Sequence, residues 1–149
     1  LIVRWPGVVK PGTLTGQIGH IIDIMPTLLE IAGGKYPAEH RGEKVLPVEG
    51  TSLGPVLRGQ RRVAPPALYW EWAGNCAVRQ GKWKLVWDTL VRKWELYDME
   101  ADRTELNDLA GQYPEQVRQL SDDYTAWAQA NGRKLPETGE SARKKKRKA

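Results

Sequence analysis

The 149-residue sequence has one cysteine, two histidines and no phenylalanine. A single cysteine, Cys76, excludes an intrachain disulfide and any zinc site made of several cysteines. His20 and His40 stand at no spacing that would put two metal ligands on one helix face. No apolar run reaches the length of about 20 residues that a membrane-spanning helix needs. With 40% hydrophobic and 28% charged residues, the composition favours one soluble globular domain.

The net charge of +5 comes mainly from one end of the chain. Six of the 23 lysines and arginines lie in the last seven residues, at 143–148. Without them the chain is close to neutral, so a basic face that binds nucleic acid is not expected. The run is typical of a nuclear-localisation or polyanion-binding tail, and equally of a terminus that contacts only solvent. Residues 132–149 are predicted to be disordered, because they offer almost no apolar surface to bury.

The first part of the chain contains three predicted elements. Residues 1–5 begin with the apolar run Leu1–Val3 and are predicted to form a buried strand. Residues 21–32 are predicted to form a helix that is apolar on most sides, with Asp23 as its N-cap. Residues 35–51 have the composition of a surface loop, and a short helix is predicted over 52–58. A chain that opens directly in an apolar strand with Leu1 is expected to be a piece of a longer protein.

The second part predicts a four-stranded antiparallel sheet covered by a helix. Aromatic and β-branched segments separated by turns indicate strands at 67–72, 76–79, 82–87 and 94–97. Pro114 opens a helix to about residue 131, with an apolar stripe at helical spacing that would cover the sheet. The fold class predicted for this chain is therefore α+β.

Few residues carry the signature of a catalytic or metal-binding group. Cys76 lies inside a predicted strand and is interpreted as a buried structural thiol. The acidic residues between 98 and 108 lack the glycine and terminal glutamate of a calcium loop, so a solvated turn is expected there. Most of the seven tryptophans are expected in the core, although exposed aromatics on a sheet can also stack on sugars or bases. Trp72, beside the loop 73–75, is the exception that could remain exposed.

Five motifs in a fixed order resemble the C-terminal part of arylsulfatases. They cover roughly residues 1–130 and read LIVRWPG, DIMPTLLEIAG, GTSL, AVRQGKWKL, and ELYD followed by DRTE. The resemblance implies an α/β parent of the alkaline-phosphatase-like class. Residues 1–66 would be the end of its large domain, contributing the leading strand and helix. Residues 67–131 would be a smaller C-terminal sheet subdomain, followed by the disordered basic tail at 132–149.

The resemblance also implies the chemistry of the parent. Sulfatases hydrolyse sulfate esters with a formylglycine nucleophile and a divalent cation, usually calcium. Cys76 is followed by Ala-Val-Arg without the proline of the formylglycine motif, so it is not the converted residue. No catalytic or metal-ligating residue is expected in this chain, which should be inactive alone. The parent would act on a sulfate-ester small molecule or a sulfated glycan, in a periplasm or outside the cell.

Three residues of the loop region are candidates for the rim of the substrate pocket: Glu71, Trp72 and Asn75. In related enzymes the corresponding loop lies near the pocket mouth. Histidine is expected in many relatives where Trp72 stands, and arginine where Cys76 stands, so the substrate class stays open. A structural role for all three residues is the competing interpretation.

Two other functions remain open at this point. The tryptophan-rich sheet or the basic tail could form a non-catalytic module that binds a polyanion or glycan. Alternatively, the parent could be a phosphodiesterase or phosphonate hydrolase of the same superfamily, which would differ only in residues upstream of Leu1.

Overall fold

The computed structural model of the chain consists of two units, and the first is Leu1–Pro65. Helix α1 (Ile24–Ala32) is the main element of this first unit. The structure describes residues 1–63 and 65–136, so most of the predicted tail at 132–149 lies outside the described residues. A 3-10 turn at Ile21–Asp23 leads into α1, and the prediction of a helix here is confirmed. The short helix α2 (Gly54–Leu57) contacts α1.

A small hairpin interrupts the segment that was predicted to be a loop. Strands β1 (Glu39–His40) and β2 (Glu43–Lys44) pair antiparallel through two residues each. Both strands are exposed, and neither has the apolar alternation that would have indicated it in the sequence.

Residues 1–5 do not form the predicted strand. A strand needs a hydrogen-bonded neighbour, and none of the strands in the described part of the chain pairs with this segment. Leu1 and Ile2 are 90% and 98% exposed, so the apolar run that predicted burial has no partner surface here.

The carboxylate of Asp23 does not cap the helix that follows it, contrary to the prediction. Asp23 itself has helical backbone angles, so its side chain reaches back and accepts from the N–H of His20 at 2.8 Å. It also accepts from the N–H of Thr51 at 2.9 Å and from Nη2 of Arg62 at 2.8 Å. Arg62 donates to the carbonyl oxygens of Thr51 and Ile18 as well, both at 2.7 Å. This buried ion pair joins three separated segments of the first unit.

The second unit begins at Pro66 and contains an antiparallel sheet. Each strand of this sheet pairs with the strand that follows it in the sequence. Its strands are β3 (Leu68–Trp72), β4 (Asn75–Gln80), β5 (Trp83–Asp88) and β6 (Lys93–Asp98). Helix α3 (Pro114–Ala130) packs against this sheet. The predicted four-stranded sheet with a C-terminal helix is confirmed.

The core of the second unit lies between the sheet and α3. Val78, Leu85 and Leu96 are paired neighbours on three adjacent strands, so their side chains share one sheet face. Leu120 and Tyr124 of α3 pack on them, and all five side chains are completely buried.

Most of the tryptophans belong to this core, as predicted. Trp87 and Trp94 meet edge to face at 5.4 Å between ring centres, and Trp94 contacts the Tyr124 ring in the same way at 6.0 Å. Tyr69 stacks on Trp127 of α3 at 4.8 Å. These aromatic contacts fix the position of α3 on the sheet.

The acidic segment after β6 is a turn held by its own carboxylates, as the sequence indicated. Asp102 accepts from the N–H groups of Leu106 and Asn107 at 2.7 and 2.8 Å. Asp108 accepts from the N–H of Leu96 at 3.1 Å, which ties the turn to β6. Backbone hydrogen bonds lower the pKa of Asp102, as expected for an ionised carboxylate that organises a loop.

Candidate functional site

Two turns lie side by side at one end of the sheet. The β3–β4 turn consists of Ala73 and Gly74, which have φ angles of 50° and 83°. Two consecutive positive φ values are typical of a type I′ turn, whose twist matches that of the flanking strands. The β5–β6 turn spans residues 89–92 and also contains a left-handed residue, Arg92, with a φ of 54°.

Asn75 connects these two turns. Its Oδ1 accepts hydrogen bonds from the N–H of Thr89 at 2.9 Å and from the Thr89 hydroxyl at 3.0 Å. A Cβ atom added at Gly74 would lie 3.1 Å from the Thr89 methyl group, so the turns are also in close contact. The two bonds give Asn75 a definite structural task, which is to hold the position of the β3–β4 turn.

Glu71 and Trp72 lie on opposite faces of β3, because successive side chains of a strand alternate. Glu71 is paired with Cys76 and therefore faces the side covered by α3. Its carboxylate lies 3.7 Å from the guanidinium of Arg133, just beyond α3. Trp72 is on the other face and is 79% exposed, far more than any other tryptophan among the described residues.

Of the three residues predicted for the pocket rim, Trp72 and Asn75 are paired across β3 and β4 and share one sheet face, whereas Glu71 faces the other side. Trp72 offers an exposed aromatic face, Glu71 belongs to an ion pair on the opposite side, and Asn75 holds a turn. The exposure of Trp72 agrees with the sequence expectation for that residue alone. The separation of Glu71 from Trp72 follows directly from the alternation of side chains along a strand.

A cavity of about 440 Å³ lies on the α3 side of this sheet end. The two turns, Tyr124 of α3 and the segment after α3 form its walls, and its lining includes Glu71, Cys76, Thr89, Arg92, Tyr124 and Lys134. Sequence reasoning missed Arg92, Tyr124 and Lys134, because no local pattern shows that a hairpin turn, a helix face and a terminal segment meet.

The thiol that lines the cavity, that of Cys76, is not an activated nucleophile. Burial raises the pKa of the Cys76 thiol to about 11, so Cys76 is protonated and inert at neutral pH, in agreement with its interpretation as structural. Burial also raises the pKa of Tyr124. Among residues 1–63 and 65–136, no group of three or more histidine, cysteine or acidic side chains could hold a metal ion. The described helices also include none long and apolar enough to cross a membrane.

Solved structures show where this fold occurs. A structure described as a complex with its substrate D-glucosamine-2-N,6-O-disulfate superposes with a TM-score of 0.65 and 26% identity, covering 91% of this chain and 29% of that one. The class defined by this fold is that of the sulfatases, which are alkaline-phosphatase-like proteins.

Sequence comparison gives the family. The family described as N-sulphoglucosamine sulphohydrolase, C-terminal, matches residues 1–128, and the chain belongs to it. An uncharacterized sulfatase of Schizosaccharomyces pombe is 27% identical over 137 residues, covering 88% of this chain and 25% of the relative. An N-acetylglucosamine-6-O-sulfatase of Bacteroides thetaiotaomicron is 30% identical over 135 residues, covering 80% and 23%. The chain spans about a quarter of the length of these relatives.

Proposed function

We propose that the protein containing this chain hydrolyses sulfate esters and that the chain is its non-catalytic C-terminal part. The observation that carries the proposal is the family match over residues 1–128, on a chain whose sheet and helix occur in solved sulfatases. The formylglycine nucleophile would lie in the longer protein, because Cys76 is buried and protonated. Arylsulfatase activity is one form of this proposal, and hydrolysis of sugar sulfates is another.

Calcium is the cation that we propose for the longer protein. The described residues of this chain do not fit it, because they contain no cluster of ligating side chains. We therefore propose that the rest of the longer protein supplies the ligands of the cation.

The exposed face of α1 supports a role within a larger protein. Ile21, Met25 and Leu28 are all more than half exposed and line a shallow apolar groove along the helix. A soluble protein rarely leaves such a patch uncovered. We propose that this face packs against the large domain, to which the resemblance assigns residues 1–66. A helix that is apolar on most sides needs such neighbours.

We propose a sulfated sugar or a sulfated aryl compound as the substrate, contacted at the pocket rim by Trp72. A side chain of this size on a rigid type I′ hairpin can stack on the apolar face of a sugar ring or on an aryl ring. Two of the similar proteins bear names or descriptions that refer to sulfated glucosamine compounds, which supports the sugar. Glu71 and Asn75 would act indirectly, by fixing the hairpin that carries Trp72.

The test uses the full-length protein that contains this chain. Sulfate release is measured from N-acetylglucosamine 6-sulfate and from 4-nitrophenyl sulfate, with and without calcium, and release of nitrophenol from bis(4-nitrophenyl) phosphate is measured in parallel. Hydrolysis of a sulfate ester that exceeds hydrolysis of the phosphodiester supports the proposal. Preference for the phosphodiester would support the related phosphodiesterase instead.

The Trp72→Ala variant tests the rim. We expect a KM several times higher with little change in kcat, because stacking would hold substrate and transition state alike. Trp70→Ala is the matched control, since Trp70 lies on the same sheet face two residues earlier and is much less exposed. An unchanged KM in Trp72→Ala would remove Trp72 from the rim.

The binding-module alternative and the location have their own tests. If no ester is cleaved and the protein is retained on heparin after residues 142–149 are deleted, a sheet-borne polyanion site replaces the enzyme proposal. We also propose that the protein is exported to a periplasm or outside the cell. Cell fractionation tests this, and recovery in the cytoplasm would contradict it.

A further inference from the structure

Tyr124, one of the residues that line the cavity beside the two turns, carries a polar group that no described neighbour satisfies. Tyr124 is completely buried, and its hydroxyl has no hydrogen-bond partner among residues 1–63 and 65–136. The Cys76 thiol is close enough to raise the pKa of Tyr124 but forms no hydrogen bond of acceptable geometry, and sulfur is a weak acceptor. A buried hydroxyl without a partner destabilises a fold, so a ligand that accepts a hydrogen bond from it would be favoured at this place.

The charges around the cavity favour an anion. Arg92 and Lys134 both line it, and neither forms an ion pair within the part of the chain that the structure describes. Among the lining residues that the structure describes, the single carboxylate is that of Glu71, which lies beside Arg133. Within the described residues, Arg92 and Lys134 therefore have no ion-pair partner, and the negative charge of the wall is compensated by Arg133.

The size and the walls indicate more than a bare ion. A volume of about 440 Å³ is within the range of small-molecule sites and much larger than a sulfate ion requires. Trp87 and Leu135 give the wall apolar surface that suits the C–H face of a sugar ring.

We propose that this cavity binds a sugar that carries an anionic group, either sulfate or carboxylate. Arg92 and Lys134 would contact the anion, and the Tyr124 hydroxyl would donate to one of its oxygens or to a ring substituent. The choice of a sugar as carrier rests on the proposed function, whereas anion binding does not. The site lies on the α3 side of β3, opposite Trp72, so it is a different surface from the proposed rim.

The test follows the indole N–H signal of Trp87 in the intact protein labelled with ¹⁵N-tryptophan, assigned with Trp87→Phe. N-acetylglucosamine 6-sulfate, glucuronic acid, uncharged N-acetylglucosamine and sodium sulfate are titrated separately. We expect the signal to shift with one or both anionic sugars and not with the uncharged sugar. If the signal shifts with the uncharged sugar as well as with an anionic sugar, or with none of the sugars, anion recognition is overturned. If sodium sulfate binds as tightly as the sulfated sugar, the proposal of a sugar as the carrier is overturned.

Three variants connect the signal to the site. Arg92→Asn, which suits the left-handed backbone, and Lys134→Gln should each weaken binding about tenfold. Arg103→Gln removes an arginine that does not line the cavity and should leave binding unchanged. Tyr124→Phe should weaken binding several-fold and raise the Tm of the ligand-free protein, because it removes an unsatisfied hydroxyl. A lower Tm together with unchanged binding would show that the hydroxyl already has a partner and would overturn its role.

Sulfate release from the same samples separates this inference from the proposed function. A protein that cleaves no ester but keeps the variant-sensitive Trp87 shift disproves the enzyme proposal and leaves the cavity site standing. A protein that cleaves sulfate esters at the same rate in all variants, with no Trp87 shift, leaves the enzyme standing and disproves the cavity site.

Discussion

The ion pair between Asp23 and Arg62 gives the sharpest stability prediction. Their side chains are 1% and 2% exposed, with Oδ2 and Nη2 2.8 Å apart. Asp23→Asn removes the charge but keeps the shape, which leaves the buried guanidinium uncompensated. Loss of one partner of a buried pair costs about 3–5 kcal/mol. Because whole domains have only about 5–15 kcal/mol of stability, this substitution should open much of the first unit.

The combined variant distinguishes the charge from the shape. Arg62→Met leaves the Asp23 carboxylate with two backbone donors, from His20 and Thr51. Asp23→Asn with Arg62→Met leaves no unpaired charge, so its loss of stability should be clearly smaller than the sum of the two single losses. The exposed pair of Arg58 and Glu30 supplies the control, and Arg58→Gln should have little effect.

Hydrogen–deuterium exchange of the intact protein measures these effects within the first unit. The N–H of Thr51 donates directly to Asp23, so peptides that contain it report the opening. We expect exchange to be faster by roughly 10²- to 4 × 10³-fold in Asp23→Asn, since a loss of about 3–5 kcal/mol is converted at about tenfold for each 1.4 kcal/mol. Strictly additive single and combined losses would refute the uncompensated-charge argument.

The pH dependence of the same pair has a definite sign. Burial acts to raise the pKa of Asp23, but hydrogen bonds from Arg62, Thr51 and His20 outweigh it, and the pKa lies below its ordinary value of 3.8. The stabilisation is therefore present above pH 3.8 and is lost as the pH falls through the lowered pKa. The difference between wild type and Asp23→Asn should shrink in that acidic window, and a constant difference would contradict the assignment.

Three further predictions concern single positions. Asn75→Ala should lower the stability of the second unit by about 1 kcal/mol per lost bond to Thr89; equal urea midpoints by tryptophan fluorescence would show that the turns do not need it. Cys76, with a pKa of about 11, should resist iodoacetamide at pH 8 until the protein is denatured, and rapid labelling of the native protein would contradict its burial. Gly50→Ala should destabilise the first unit by more than about 1 kcal/mol, because φ is 80° and the new Cβ would lie 2.5 Å from the carbonyl oxygen of Ile22; unchanged exchange in the peptides around Gly50 would refute this.

The second unit could be predicted because its signals are local. Trp83, Leu85 and Trp87 recur at every second position and alternate with Lys84 and Val86, which gives both the strand and its buried face. The first unit was harder, because Asp23 finds its partner Arg62 at a distance of 39 residues in the sequence. Local capping rules describe only the amides next to a carboxylate, so they assigned Asp23 to the wrong hydrogen bonds.

The candidate site also shows what local sequence patterns can and cannot predict. The resemblance groups Glu71 and Trp72 because their loop lies near the pocket mouth in related enzymes, yet adjacent residues of a strand face opposite sides. Period-two alternation separates Glu71 from Trp72, but the pattern LYWEW does not show which face is covered, and only the structure places Glu71 with Cys76 on the side of α3. The convergence of Arg92 and Tyr124 had no such signal, because it depends on how a turn and a helix meet. A search for sites in related chains should therefore assign strand faces first and then ask which turns lie beside them.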